Sequence, residues 1–178
     1  LEVIEAVDTL KGKGPRDFSD CCMELSANIL ELAGKGNADQ CMAQAKAVIA
    51  SGAAFKKLCE MVDAQGGNAE VIKDTTKFGE APIIREIVAT TSGYISSMDT
   101  ESIGITSVML GAGRETKDSP VDHLAGILLR KKTGDYIKVG DTLAVFHTSH
   151  ELLIKGAQER FTSSLKISES KPDSKPLV

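Results

Sequence analysis

Several things are scarce in this sequence, and each shortage excludes something. Aromatic side chains make up only 4% of its 178 residues, against 42% apolar and 26% charged, a balance that suits one medium domain or two small ones. Neither sign of charge dominates. Lysine and arginine number 21 against 25 acids, for a net charge of -4, so there is no field to gather nucleic acid or an anionic membrane surface. Apolar residues never run for the roughly 18 positions a spanning helix needs, and no basic, apolar and small-residue signal opens the chain. A soluble, cytoplasmic protein is expected. The four cysteines, Cys21, Cys22, Cys41 and Cys59, match no metal-ligand spacing and read as reduced thiols packed in helices. The chain opens on Leu1-Glu2-Val3-Ile4-Glu5-Ala6-Val7, an amphipathic rhythm with no cap and no methionine before it. That opening suggests a segment of something longer.

What is present divides into two grammars. Residues 1–80 read as successive helices, with apolar positions three and four apart and Gly, Asn and Pro supplying the breaks. The first helix runs to Leu10 and stops at Lys11-Gly12-Lys13-Gly14-Pro15. Asp17 or Ser19 is expected to cap a second, whose stripe of Cys22, Leu25, Ile29, Leu32 and Ala33 ends at Gly34-Lys35-Gly36. Asn37-Ala38-Asp39-Gln40 is a capping-box pattern for a third helix. A fourth spans about Gly52 to Gln65, and Asn68 caps a short final turn.

From Pro82 the residues become β-branched and the segments short. Residues 83–88 and 93–98 read as strands, followed by a helix near 100–109 capped by Asp99 or Thr100. Residues 126–129 and 143–147 read as buried strands. Between these two lie the turns Gly134-Asp135 and Gly140-Asp141, flanking Tyr136-Ile137-Lys138-Val139. Such paired turns are typical of small β-sandwiches of the biotinyl or lipoyl carrier kind. A last helix is expected over 149–165, with an extended tail over 169–176.

Local motifs for chemistry are sparse. Gly111-Ala112-Gly113 begins like a dinucleotide fingerprint, but position 116 is threonine and a helix, not a strand, precedes the loop. No Gly-Lys-Ser/Thr ending follows, although Arg114 and Lys117 are available to an anion or an acidic neighbour. His123, His147 and His150 stand in no metal-ligand spacing and read as structural or surface histidines. There is no Gly-x-Ser-x-Gly elbow and no cysteine close to a histidine. Carrier lipoylation or biotinylation needs a lysine at a hairpin tip, whereas Lys138 is expected within a strand and no Met-Lys-Met-like tip exists.

Taken in order, Leu1-Glu2-Val3-x-Glu5-Ala6, Leu10-Lys11-Gly12-x-Gly14-Pro15, Gln65-Gly66-Gly67, Ser92-Gly93-Tyr94-Ile95, Leu110-Gly111-Ala112-Gly113-Arg114-Glu115-Thr116-Lys117 and the two Gly-Asp turns resemble the C-terminal part of pyrimidine-nucleoside and thymidine phosphorylases. The resemblance covers essentially the whole chain, with departures at Ser119-Pro120 and in the tail ending at Leu177-Val178. It implies an α+β fold. Residues 1–80 would be the helical remainder of an α/β lobe, and residues 81–178 a small β-rich C-terminal domain of hammerhead, or barrel-sandwich, type. It further implies a homodimeric parent in which phosphate attacks the anomeric carbon of a uridine or thymidine nucleoside, releasing base and a pentose 1-phosphate. The phosphate and base ligands of that family lie upstream of the matched part, so no catalytic or substrate-binding residue is expected here. One family site maps onto the chain: a potassium-type site to which Glu5 would bring a carboxylate, its carbonyl ligands lying elsewhere. The helix faces of the first segment would then be ones that the rest of a parent chain covers. An autonomous biotinyl/lipoyl-like interaction module is the alternative, and a phosphoribosyltransferase relative accounts poorly for residues 82–178.

Overall fold

A computed structural model describes residues 1–114 and 116–173. The chain divides into two units, one spanning Glu2–Phe78 and the other beginning at Gly79.

The first unit is all helix: α1 (Glu2–Leu10), α2 (Arg16–Leu32), α3 (Ala38–Ala50), α4 (Ala53–Ala64) and the short α5 (Ala69–Lys73). Helix α3 begins with the expected reciprocal cap. The Asn37 side chain accepts from the Gln40 amide at 3.0 Å, and the Gln40 side chain accepts from the Asn37 amide at 3.1 Å. Asn68 likewise caps α5 by accepting from the Glu70 amide. The expected cap of α2 is different. Its helix starts at Arg16 directly after Pro15, with no side-chain cap; the Ser19 amide already donates to the Pro15 carbonyl at 2.9 Å, so both proposed residues lie inside the first turns.

The core of this unit is small. Val7, Cys59, Ala69 and Ile72 are buried, with Phe55, Leu58, Val62 and Phe78 packed against them, which joins α1, α4 and α5. The Lys11 ammonium sits 4.5 Å from the centre of the Phe55 ring and donates to the Lys73 carbonyl at 3.1 Å. Helix α2 contributes little to this core. Of its apolar stripe, Leu25, Ile29 and Leu32 are 56%, 66% and 89% exposed.

Among the described residues the second unit holds six strands: β1 (Ile83–Val88), β2 (Gly93–Met98), β3 (Gly126–Leu129), β4 (Tyr136–Ile137), β5 (Thr142–Thr148) and β6 (Leu165–Ser168). Helix α6 (Thr100–Ser107) follows β2 and α7 (Ile154–Ser163) follows β5. Two three-stranded sheets result, ordered β1-β5-β3 and β4-β2-β6, and every pairing in them is antiparallel. The unit is therefore α+β.

Strand β5 is central, and its continuous apolar run Leu143-Ala144-Val145-Phe146 is buried, as expected for a strand covered on both faces. Helix α7 closes the core. The Phe161 ring meets the Phe146 ring edge-on at 5.5 Å, and both are fully buried.

Two segments depart from the sequence reading. The last helix ends at Ser163 and gives way to β6, which pairs with β2; the four-residue spacing of Leu153, Ala157, Phe161 and Leu165 masked the alternation of Leu165-Lys166-Ile167-Ser168. Strand β4 ends at Ile137, so Lys138 lies at the exposed start of a turn and not within a strand. The expected tail is described as far as Asp173; residues 174–178 lie outside the described residues.

The two Gly-Asp turns are built alike. Asp135 accepts from the Lys132 amide at 2.7 Å and Asp141 from the Lys138 amide at 3.1 Å. Gly134 donates to the Ile95 carbonyl at 2.8 Å while the Ile95 amide donates to the Asp135 carbonyl at 2.9 Å. Gly140 and Asp141 repeat this pair with Ala89, at 2.9 and 2.8 Å. One turn is thus stitched to β2 and the other to the end of β1. Both glycines have positive φ, 93° and 91°, and open space where a Cβ would stand. Conformation alone should then set the cost of alanine. Gly134→Ala and Gly140→Ala are each expected to destabilise the second unit by roughly 1–2 kcal/mol, to be checked by urea unfolding. Unequal costs, one near zero, would contradict the equivalence.

Candidate functional site

Two places combine motif residues: the glycine loop after α6, and the exposed turn of α1 that carries Glu5.

After α6 the chain continues through a wider helical turn, Val108–Ala112, and leaves it at Gly111, whose φ is 105°. A Cβ at Gly111 would stand 3.2 Å from the Asp122 Cβ, and one at Gly113 would meet the Val108 side chain at 2.7 Å. The positive φ of Gly111, and the Val108 side chain that a Cβ at Gly113 would meet, favour glycine at both positions. The loop is fastened to the end of β5. Thr148, fully buried, donates its hydroxyl to the Leu110 carbonyl at 2.7 Å and accepts from the His150 amide at 3.2 Å. From the other side, the Asp122 amide donates to the Gly111 carbonyl at 2.9 Å. The Asp122 carboxylate accepts from the amides of Leu124 and Ser149, at 2.9 and 2.8 Å.

Burial by itself would raise the Asp122 pKa. The Leu124 and Ser149 donors, with His150 nearby, outweigh it, and the carboxyl lies below its usual value. Neither Thr148 nor Asp122 stands out in the sequence reading. Asp122 has a weak local signal, an aspartate bonding the amide two residues on; Thr148 has none, because its partner is 38 residues away. Of the Arg114-Glu115-Thr116-Lys117 motif, Glu115 lies outside the described residues, and Thr116 pairs with Ser119, its amide donating to the Ser119 hydroxyl at 3.0 Å.

The histidines are not brought together for chemistry. His123 and His150 are exposed. His147 lies in β5 with its Nε2 buried and without a hydrogen-bond partner, and burial, with Arg130 adding to it, lowers its pKa. Among the described residues no group of three or more His, Cys, Asp or Glu side chains is placed to hold a metal ion. Glu5 is exposed on α1, and its carbonyl accepts the Thr9 hydroxyl at 2.8 Å. It offers a single carboxylate. Cys41 and Cys59 are buried and Cys21 and Cys22 half-buried, all as free thiols.

Comparison with known proteins gives this geometry a setting. Residues 94–168 match the family model described as the pyrimidine nucleoside phosphorylase C-terminal domain. The matched stretch lies within the second unit. The full chain is 34% identical over 179 residues to a pyrimidine-nucleoside phosphorylase of Geobacillus stearothermophilus, covering 100% of this chain and 41% of the relative. It is 35% identical to the Bacillus subtilis pyrimidine-nucleoside phosphorylase over 85% of this chain and 35% of that one. A thymidine phosphorylase of Metamycoplasma hominis is 33% identical, over 97% of this chain and 64% of the relative. The chain thus matches the C-terminal part of these phosphorylases, and spans 41% and 35% of the length of the first two. Within the matched stretch the glycine loop is held by a clasp of hydrogen bonds from Thr148 and Asp122. No helix among the described residues is long and apolar enough to cross a membrane.

The clasp gives two expectations. Thr148→Val keeps the shape and leaves the Leu110 carbonyl and the His150 amide unpaired, which should cost about 1–3 kcal/mol in thermal unfolding at neutral pH. For Asp122, a depressed folded pKa means stabilisation that is complete above the unfolded value near 3.9 and is lost as pH falls through the folded value. Unfolding followed from pH 6 down to pH 2 should therefore show a steeper acid-side loss in the wild type than in Asp122→Asn.

Proposed function

We propose that the chain is the C-terminal part of a pyrimidine-nucleoside phosphorylase, a pentosyltransferase that moves a ribosyl or deoxyribosyl group from a pyrimidine base to phosphate. One observation carries this reading: the match to such enzymes runs over the whole of this chain, helical unit and C-terminal domain together. Phosphorolysis needs cationic and hydrogen-bonding groups that hold a phosphate dianion and stabilise the charge growing on the departing base. Such groups belong, in this reading, to the part of the relatives that has no counterpart here. The chain's own part is architectural, a folded C-terminal domain joined to helices of the catalytic lobe.

The parent is read as a cytoplasmic homodimer that takes uridine or thymidine and phosphate, with a potassium ion near the catalytic lobe. Glu5 would lend that ion one carboxylate. A single exposed carboxylate does not make a cation site, so the chain alone is expected to hold potassium weakly or not at all. No step of the reaction is assigned to Glu5.

The reading has two direct checks. The chain incubated with uridine or thymidine and phosphate should release no free base, followed by ultraviolet absorbance; turnover by the chain alone contradicts it. Exchanged for the C-terminal two fifths of the Geobacillus stearothermophilus relative, the chain should give a folded hybrid that phosphorolyses uridine. A folded but inactive hybrid contradicts it equally.

A further inference from the structure

An open hollow of about 530 Å³ lies between α6 and α7, with Ser102 and Met109 on one side and Glu159, Arg160, Ser163 and Ser164 on the other. Gly156 leaves the room for it: a Cβ there would already stand 3.4 Å from the Met109 Cε. One side chain of the lining is unsatisfied. Arg160 is half-buried in the last turn of α7, and its Nε is buried without a hydrogen-bond partner. Among the described residues no ion pair reaches its guanidinium. A guanidinium carries five N–H donors and no acceptor, and a buried donor left unpaired is costly enough to ask for an explanation.

The acids nearby do not supply the missing partner. Glu159 is the preceding residue on the helix, and successive residues do not face each other. Asp99 is spent as the cap of α6, where it accepts the Ser102 amide at 3.2 Å; its carboxyl lies below its usual value first through Ser102 and only last through Arg160. The serines, for their part, have given their protons away. Ser163 donates its hydroxyl to the Glu159 carbonyl at 2.8 Å and Ser164 to the Phe161 carbonyl at 2.6 Å, so both keep only lone pairs, and the Glu159 carboxylate adds further acceptors.

Arg160 therefore calls for an oxyanion, and the oxygens around it call for N–H or O–H donors. With one fixed cation and one fixed anion in the lining, a monoanion gains more than a doubly charged phosphate, which Glu159 repels. Arginine takes a carboxylate through two parallel hydrogen bonds. We propose that the hollow between α6 and α7 binds a small carboxylate that also carries hydrogen-bond donors, an amino acid or a polyhydroxy acid. Its carboxylate sits on Arg160 and its donors on Glu159, Ser163 and Ser164. The functional reading above is not needed for this.

The test titrates the isotope-labelled chain and follows the Arg160 Nε–Hε signal and the Ser102 and Ser163 amides by NMR. L-Serine and D-gluconate are the two probes, with acetate, erythritol and inorganic phosphate as controls. Saturable shifts are expected with at least one probe, and which one responds tells an amino acid from a hydroxy acid. Acetate lacks the donors, erythritol the charge, and phosphate carries too much of it, so each should bind at least tenfold more weakly. Arg160→Gln should lower the affinity at least tenfold, and Ser163→Ala, at an exposed position, about threefold; Ser163→Ala decides the matter if Arg160→Gln disturbs α7.

No saturable shift with either probe, or binding that Ser163→Ala leaves unchanged, overturns the site. So does acetate or phosphate binding as tightly as the better probe, because charge alone would then suffice. The folded hybrid with the Geobacillus stearothermophilus relative should bind the same probe equally well in calorimetry; loss of binding there would make a side chain of the parent the partner of Arg160. Turnover is read in none of these arms. Failure of the site leaves the functional reading untouched, and an inactive hybrid leaves the site untouched.

Discussion

The second unit depends on one strand. Strand β5 pairs with β1 on one side and β3 on the other, buries four consecutive apolar residues, and places Phe146 against Phe161 of α7. At its end the same strand turns from packing to fastening. Thr148 holds the Leu110 carbonyl, and Ser149 gives its amide to Asp122, so the glycine loop cannot move without breaking bonds at the end of the central strand. At its start, the Gly140-Asp141 turn is stitched to Ala89. Sheet, helix and loop are thereby tied to a single seven-residue segment.

The helical unit is made on a different principle. Its α1-α4-α5 cluster contains four buried residues, two of them Ala69 and Cys59; Ala27 of α2 and Cys41 and Ala45 of α3 are buried besides, while Leu25, Ile29 and Leu32 of α2 face outward. Small cores stabilise weakly because little apolar area leaves the water. A unit that keeps Leu25, Ile29 and Leu32 outside its own core fits a role inside a larger assembly. The match to the domain model runs from β2 to β6, includes the clasp, and does not reach the helical unit.

Much of this was legible residue by residue. The change of grammar at Pro82 precedes a first strand at Ile83, Asn37 and Gln40 form the box that their spacing announces, and the two Gly-Asp turns are equivalent in bond and dihedral. Local signals of that kind act within a few residues and survive in the sequence. What stayed hidden depends on distant partners. Strand β6 exists because β2 offers it a row of hydrogen bonds, and a helical spacing of apolar residues covered its short alternation. The α2 stripe was readable as amphipathic, but no periodicity says whether the partner for such a face lies in the same chain. Thr148 is one threonine among several until β5 delivers it to Leu110. Of the candidate site, the Glu5 carboxylate was nameable only through resemblance, and its exposure shows how little of an ion site one side chain makes.

Native-state hydrogen exchange on the chain alone tests the central claim, that the C-terminal domain is self-sufficient and α2 is not. The account predicts that the amides of Leu143 to Phe146 exchange most slowly, with the Ile95 amide of β2 and the Ala89, Gly134 and Gly140 amides nearly as protected although the last three lie in or beside turns, and that amides of α2 exchange at least a hundredfold faster. Equal protection of α2 and β5, or turn amides exchanging as freely as unfolded chain, would contradict it.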